Sequence, residues 1–366
     1  MSAINFSGGL AALAGGLRVV PGAQPPQALQ SSRRNWAAQL AVGQSAAALP
    51  GLLASVFNLC SHAHRVCAQL ALDAAMPGVQ PVLSPLHVAQ RLHTETAQEH
   101  IRRMGLDWPR LLAAPGAGAH GVDGAAQAHA ALQRCPLLTS AAHASAHANS
   151  HGDTSPWPAT LAWLQTELLH MPATAWLAQW QAGGAGWLRD WAAGRTGWLA
   201  ALLQGARLAD VAAPVNPATA LRVHADADTG ADTEAAQAVG MRELSAALDA
   251  QPGFALRPQW RGACAHTGNW ARLHHPATSP ALTPWGLLGS RLAELTQLCL
   301  HGAHPPGGSA ALSFGAVPVG QGQGLAWVEM ARGLLVHHAR LDEAGRVAAY
   351  RVLAPTEWNF HAEGAV

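Results

Sequence analysis

The sequence lacks lysine, has few charged residues and contains no long apolar run. All 22 of its basic residues are arginine, and the formal net charge over 366 residues is +1. In a chain so rich in alanine and glycine, the missing lysine indicates codon usage more than function. With positive and negative charges so evenly balanced, the chain lacks the excess of positive charge that is typical of nucleic-acid-binding proteins. Because no stretch of about 18 uninterrupted apolar residues occurs, we expect no membrane span.

Cysteine is also scarce, and its number is odd. Disulfide frameworks belong to oxidising compartments and pair their cysteines, so five cysteines in a chain of this length predict reduced thiols. The Gly/Ala-rich segment 1–21 has no basic region before its apolar part and is therefore a poor signal peptide. We expect a cytoplasmic protein whose 49% hydrophobic content supplies a substantial core.

Most of the chain shows helical periodicity. Apolar residues recur at helical spacing from about 47 to 75, from 86 to about 105 and from 158 to about 212. In the last of these stretches, glycines at 183, 184 and 186 predict a kink or two separate helices. The same stretch carries tryptophans on one helix face, where packing in a core is the plainer interpretation and a partner surface the alternative: Trp176, Trp180, Trp187, Trp191 and Trp198.

The C-terminal part alternates like β-strands over 324–329, 334–341 and 347–353. Between the last two, Asp342-Glu343-Ala344-Gly345 predicts a hairpin turn in which Gly345 takes a positive φ. Residues 113–156 are rich in Ala, Gly, His and Ser and predict a flexible insertion with an embedded helix. We expect a mostly helical α+β chain that forms one domain over 1–366.

Cys60 and His64 are the first candidates for chemistry. Four residues apart on a helix, they would share a face, where a thiolate and an imidazole could hold a soft transition metal or the histidine could tune the thiol. Cys67 follows about two turns later. A buried structural cysteine beside a solvated histidine is the plainer interpretation.

The C-terminal segment carries a resemblance to a known family. Glu329-Met330-Ala331-Arg332-Gly333, followed by Pro355-Thr356-Glu357-Trp358-Asn359, resembles the end of the [NiFe]-hydrogenase large subunit, where Glu-x-Pro-Arg-Gly leads through a hairpin to Pro-Thr-x-Trp-Asn. Further islands occur in the family's order and extend the resemblance over most of the chain: Gly15-Gly16-Leu17-Arg18-Val19, Cys60-x-x-x-His64, Leu106-Asp107-Trp108 and His266-Thr267-Gly268-Asn269-Trp270-Ala271-Arg272. The resemblance implies a large-subunit-like helical bundle with small N- and C-terminal β elements.

The departures from that family imply a different function. The family holds nickel and iron with four cysteines, whereas here Phe57 stands in the place of the first and the C-terminal pair is missing. Ala14 matches the proton-relay glutamate, and Ala331 replaces the proline beside Arg332. Metal and proton path are both needed for hydrogenase activity. We therefore expect no catalysis and no nickel.

Degenerate large subunits of the HupK/HoxV type share this pattern, and the resemblance to them implies their role. The chain would be a non-catalytic scaffold that holds or transfers an Fe(CN)2(CO) group between HypC/HypD-type maturation proteins and the hydrogenase large-subunit precursor. Cys60 and His64 would contact this cargo, and Arg332 would donate hydrogen bonds to a cyanide nitrogen. Further candidates for this pocket are Asp107 and His337, followed by Cys67 and Cys264.

Several alternatives stay open. Asp107 could instead be a helix-terminal residue beside Trp108. The protein could be a metal-free chaperone for maturation factors or the precursor, or an enzyme using Cys60 and His64, for which no supporting motif exists. His143, His147 and His151 have a spacing that suits metal storage, although a disordered insert is the plainer interpretation. A cargo site requires Cys60 and Arg332 to converge.

Overall fold

The computed structural model describes most of the chain. The described residues are 16–20, 22–24, 26–33, 36–76, 78, 80, 82–112, 118–139, 155–205, 219–223, 234–251, 253–273, 282–304 and 312–363. The chain divides into two compact units, the first made of 1–88, 216–280 and 313–366, and the second of 89–215 and 281–312. The expectation of one domain over 1–366 stays a prediction.

Helices predominate, as expected. They are α1 (Trp36–Ala41), α2 (Leu49–Val56), α3 (Ser61–Ala75), α4 (Pro85–Arg102), α5 (Trp108–Leu111), α6 (Gly118–Gln133), α7 (Trp157–Leu164), α8 (Ala173–Ala193), α9 (Trp198–Gly205), α10 (Glu234–Ala250), α11 (Asn269–Leu273), α12 (Pro284–Ala303) and α13 (Pro355–Asn359). The strands are β1 (Leu17–Val19), β2 (Leu29–Ser31), β3 (Thr219–Ala220), β4 (Ala265–His266), β5 (Phe314–Gly320), β6 (Gln323–Met330), β7 (Gly333–Leu341) and β8 (Val347–Leu353). No described helix is both long and apolar enough to cross a membrane.

The first unit is organised around an antiparallel sheet in the order β5-β6-β7-β8. Helix α3 packs on one face of this sheet. At the contact Gly324 lets the backbones approach closely, because a Cβ there would lie 2.1 Å from the Ala71 carbonyl oxygen. Side chains of α10, including Met241 and Leu244, share a core with Leu325 and Val336 of the sheet. With both faces covered, β6 and most of β7 are buried.

The predicted C-terminal strands are confirmed, and Gly345 in their turn has φ +71°. Strand β5 was not predicted, because Gly315 and Pro318 break its apolar alternation. Proline is tolerated there since β5 lies at the edge of the sheet. The helix expected over 47–75 is interrupted: Phe57 leaves the helical region at φ −103° and ψ 64°, and a 3₁₀ turn, Asn58–Cys60, precedes α3.

The second unit contains the tryptophan-rich helices. A kink at Gly184, with φ 52° and ψ −137°, divides α8 and confirms the expected break. Trp176 is fully buried, and Trp180, Trp191 and Trp198 are at most 7% exposed, which supports the core interpretation. The rings of Trp176 and Trp180 stack with their centroids 6.1 Å apart. The embedded helix expected within 113–156 is α6.

Candidate functional site

Cys60 lies at the junction between the 3₁₀ turn and α3. Its backbone, with φ −136° and ψ 37°, is not helical, and α3 begins at Ser61. Cys60 is thus the N-cap residue of α3, one position before its first helical residue, and its side chain makes no capping hydrogen bond. That Cys60 and His64 share one face stays a prediction. The side chain is 8% exposed, so the sulfur lies just below the surface of the first unit.

Arg332 faces Cys60 from the turn that joins β6 to β7. Its Nη1 lies 3.8 Å from the Cys60 Sγ and donates toward it, across 272 residues of sequence. The expected convergence of the two residues is thus confirmed, while what Cys60 binds stays a prediction. The geometry sets a soft, nucleophilic sulfur beside a permanent positive charge that carries several hydrogen-bond donors.

Two of the sequence islands hold the Arg332 turn in place. Thr267 Oγ1 accepts a 2.8 Å hydrogen bond from the Leu334 N–H at the start of β7. Thr267 in turn exchanges two 3.0 Å hydrogen bonds with the Asn359 side-chain amide. Gly333 makes the close approach possible: it has φ +126°, and a Cβ there would lie 2.6 Å from Thr267. The three segments therefore form one support for Arg332.

A buried ion pair adds to this support. Glu329, at the end of β6, accepts a hydrogen bond from Arg272 Nη1, and Arg272 Nη2 donates to the Met330 carbonyl oxygen at 3.1 Å. The Glu329 side chain is only 2% exposed. A buried carboxylate is stable when it is paired and hydrogen-bonded, so Arg272 stabilises the strand that leads into the turn.

His64 and His337 form a buried chain with Tyr350. His64 Nδ1 lies 3.0 Å from His337 Nε2, and His337 Nδ1 lies 2.6 Å from the Tyr350 hydroxyl. Burial, with help from the nearby Arg332, lowers the pKa of His64 to about 3. Burial lowers the pKa of His337 and raises that of Tyr350. All three groups are therefore neutral at pH 7, and His64 Nδ1 shares a hydrogen bond with His337 Nε2.

Phe57 completes the surroundings of His64. Its ring stacks on the imidazole with centroids 3.9 Å apart and an interplanar angle of 10°. The apolar ring of Phe57 thus covers His64, the first member of the buried histidine chain. Sequence reasoning noted Phe57 only as a lost ligand and did not find Tyr350, although it is the single tyrosine of the chain.

The other candidates lie elsewhere. Cys67 is fully buried in α3, donates to the Ala326 carbonyl oxygen at 3.3 Å, and has its pKa raised by burial. Cys264 donates to the Glu363 carbonyl oxygen, and burial likewise raises its pKa. Both thiols are thus protonated at neutral pH. Asp107 belongs to the second unit, within a π-helical turn between α4 and α5, and accepts a 2.6 Å hydrogen bond from Arg103. Its role beside Arg332 stays a prediction.

Clusters of possible metal ligands were sought among the described residues. Across the described ranges of the chain, no group of three or more His, Cys, Asp or Glu side chains is arranged to hold an ion. His143, His147 and His151 lie outside the described residues.

Comparison of the fold defines the class of protein. Over 92% of its length the chain superposes on 86% of a chain of the Ni-Fe-Se hydrogenase from D. vulgaris Hildenborough, with a TM-score of 0.53 and 13% identity. It similarly matches an NAD+-reducing [NiFe]-hydrogenase over 90% of its length, with 82% of that chain covered, a TM-score of 0.52 and 14% identity. The chain has the fold of the hydrogenase large subunit.

Comparison with individual protein sequences gives a narrower assignment than the fold does. No model of a known family matches the chain. It is 37% identical to the hydrogenase expression/formation protein HoxV of Cupriavidus necator, over 97% of this chain and 87% of that protein. It is 32% identical to HupK of Bradyrhizobium diazoefficiens, also a hydrogenase expression/formation protein, over 92% and 82% respectively. The chain belongs to this HoxV/HupK family.

Proposed function

We propose that this protein is a non-catalytic scaffold of hydrogenase maturation that holds or transfers an Fe(CN)2(CO) group to the large-subunit precursor. The observation that carries the proposal is the 3.8 Å approach of Arg332 to the Cys60 sulfur. Membership of a family of hydrogenase expression/formation proteins supports the maturation role.

The two side chains have complementary chemistry for such a cargo. A thiolate is a soft ligand that binds iron, and a single thiolate permits release where four would retain the metal. A guanidinium donates hydrogen bonds in a fixed fork and could hold a cyanide nitrogen without competing for the metal. The buried support from Thr267 and Asn359 fixes the Arg332 turn, so the cargo would meet a prearranged donor.

The same residues support the absence of enzymatic activity and of nickel. Phe57 supplies an aromatic ring at the place of one family cysteine, and its stacking on His64 fills that place. His64 is neutral and bonded to His337, so it offers no acid at neutral pH. The proposed partners are HypC/HypD-type maturation proteins and the large-subunit precursor, all in the cytoplasm.

Infrared spectroscopy tests the cargo directly. Wild-type protein, co-produced with the maturation machinery and purified without oxygen, should show cyanide and carbonyl stretching bands. Cys60→Ala should lose them, while the matched variant Cys264→Ser should keep them. Bands that persist in Cys60→Ala, or that are absent from the wild type, would contradict the cargo role.

A metal-free chaperone is the second candidate. Leu59, beside Cys60, is 74% exposed, and Val56 at the end of α2 is 41% exposed, so apolar surface adjoins the cysteine. Such surface favours contact with another protein. If Cys60→Ala supports normal hydrogenase maturation in cells while Leu59→Asp does not, the chaperone role replaces the cargo role.

A further inference from the structure

A polar cavity lies on the sheet of the first unit, and strand alternation explains its lining. In β7, His338 and Arg340 are two residues apart, and in β8 they pair with Arg351 and Ala349 respectively. Residues paired across antiparallel strands share a face, so these side chains emerge together. Gln323 pairs with Arg340 from β6. With Asp249 of α10 they enclose about 50 Å³, enough for a few waters or one compact oxyanion.

This cavity lies on the α10 face of the sheet, and Tyr350 of β8 is the one member of the buried histidine chain that also lines it. His337 contacts His64 on the α3 side of β7, whereas His338 lies 3.9 Å from the Asp249 carboxylate of α10 on the other side. Successive side chains of a strand point to opposite faces. A ligand in the cavity would therefore bind on the far side of the sheet from Cys60, whatever Cys60 holds.

The charges in the cavity do not balance. Arg351 donates to the Asp249 carboxylate, which compensates one of the two guanidinium groups. Among the residues that the structure describes, no ion pair is found for Arg340, whose side chain lines the same cavity and reaches solvent. The lining thus carries one more positive charge than negative charge, which favours an anion.

His338, which lines the cavity, also has a buried ring nitrogen without a partner. His338 is 4% exposed, and its Nε2 has no hydrogen-bond partner among the described residues. Buried polar atoms in folded proteins are nearly always bonded, and one that is not requires an explanation. Burial lowers the pKa of His338, so its imidazole is neutral and can carry its proton on Nε2 as a donor.

We propose that this cavity binds a compact oxyanion of the carboxylate or phosphate type. Arg340 supplies charge and a forked donor, the Gln323 amide supplies a further N–H, and the His338 ring forms part of the wall. Asp249 limits the charge that the cavity accepts, because a second negative group close to it is repelled. The ligand is therefore small and carries its charge on one oxyanion group.

Calorimetric titration of the full chain with inorganic phosphate and with acetate, at constant ionic strength, tests the proposal. We expect a Kd below about 1 mM for at least one of them. Arg340→Gln should weaken binding by about tenfold or more, since it removes a charge-assisted bond. His338→Leu should also weaken it, whereas the exposed Arg110→Gln in α5 should not. Binding of phosphate alone or acetate alone identifies the class of ligand.

Two results would overturn the site. One is a titration in which neither anion gives a heat of binding, although circular dichroism shows that the protein is folded. The other is equal weakening by Arg340→Gln and Arg110→Gln, which would show diffuse attraction to the surface. Because Arg340 is exposed, its replacement should leave the core intact. A urea denaturation curve in chloride buffer, without phosphate or acetate, checks the stability of each variant. None of these measurements depends on iron, so the outcome is independent of the cargo proposal.

Discussion

His337 and His338 are consecutive in β7, yet their imidazoles serve opposite faces of the sheet. His337 Nε2 lies 3.0 Å from His64 Nδ1 on the α3 side, whereas His338 Nδ1 lies 3.9 Å from the Asp249 carboxylate on the α10 side. The first is bonded at both ring nitrogens, and the second has an unpartnered Nε2. Two residues of the same type, both buried, therefore have different energetic roles.

This difference predicts unequal effects of the same substitution. His337→Leu leaves the His64 imidazole and the Tyr350 hydroxyl without their buried partner, so the free energy of unfolding should fall by about 2–4 kcal/mol. His338→Leu removes an atom that is already unsatisfied, and the change should be within about 1 kcal/mol. Urea denaturation of both variants measures this, and a larger loss for His338→Leu would contradict the assignment.

Gly333 predicts a second contrast, within the turns of the sheet. An added Cβ at Gly333 meets Thr267 at 2.6 Å in a backbone with φ +126°, whereas at Gly345, with φ +71°, it meets nothing within 4 Å. Gly333→Ala should destabilise the protein by about 3 kcal/mol or more, and Gly345→Ala by about 1 kcal/mol. Unfolding curves compare the two, and similar losses would show that the turn at Gly333 can relax.

The packing of Phe57 on His64 predicts an effect on stability, which is separate from any effect on metal binding. Phe57→Ala removes the ring stacked on His64 and should lower the free energy of unfolding by about 1–3 kcal/mol. Its neighbour Leu59, 74% exposed, is the matched control, and Leu59→Ala should change stability by no more than about 0.5 kcal/mol. If Phe57→Ala is as stable as the wild type, the ring has no structural role.

His93 predicts a dependence of stability on pH in the second unit. It lies 2.7 Å from the Leu298 carbonyl oxygen, and burial lowers its pKa to about 4. An unfolded histidine titrates near 6.5, so between pH 6.5 and 4 the unfolded chain binds a proton that the folded chain does not. The free energy of unfolding therefore falls as the pH falls through this window, by about 3 kcal/mol in all.

Comparing wild type with His93→Gln isolates this contribution from that of His301, which packs against the same ring and whose pKa burial also lowers. Glutamine keeps a donor for Leu298 but does not titrate. Urea denaturation between pH 7 and pH 5 should give a flatter curve for the variant. Parallel curves would mean that His93 takes up its proton equally in both states.

Local patterns in the sequence predicted the elements whose contacts are local. The hairpin around Gly345 and the kink at Gly184 follow from glycines whose backbone freedom is visible in any window of the chain. The break at Phe57 was missed because apolar spacing continues through it while the backbone departs from the helix. Strand β5 was missed because Pro318 and Gly315 are permitted only by its edge position, which is a property of the assembled sheet.

The candidate site was predictable only in part for a related reason. Cys60 and Arg332 were paired through resemblance to a family, since no periodicity relates residues so far apart. The roles of Thr267 and Tyr350 were not predicted, because their partners, Leu334 and His337, come from other segments of the chain.

The long separation between Cys60 and Arg332 also has a consequence for the timing of biosynthesis. Bringing together residues 272 positions apart requires closure of a very large loop, which is entropically costly and slow. On the ribosome, α3 emerges long before β7 has been translated, so Cys60 spends most of synthesis without its arginine. The pair can form only after Arg332 itself has left the exit tunnel, so no nascent chain shorter than this can present the Cys60–Arg332 contact.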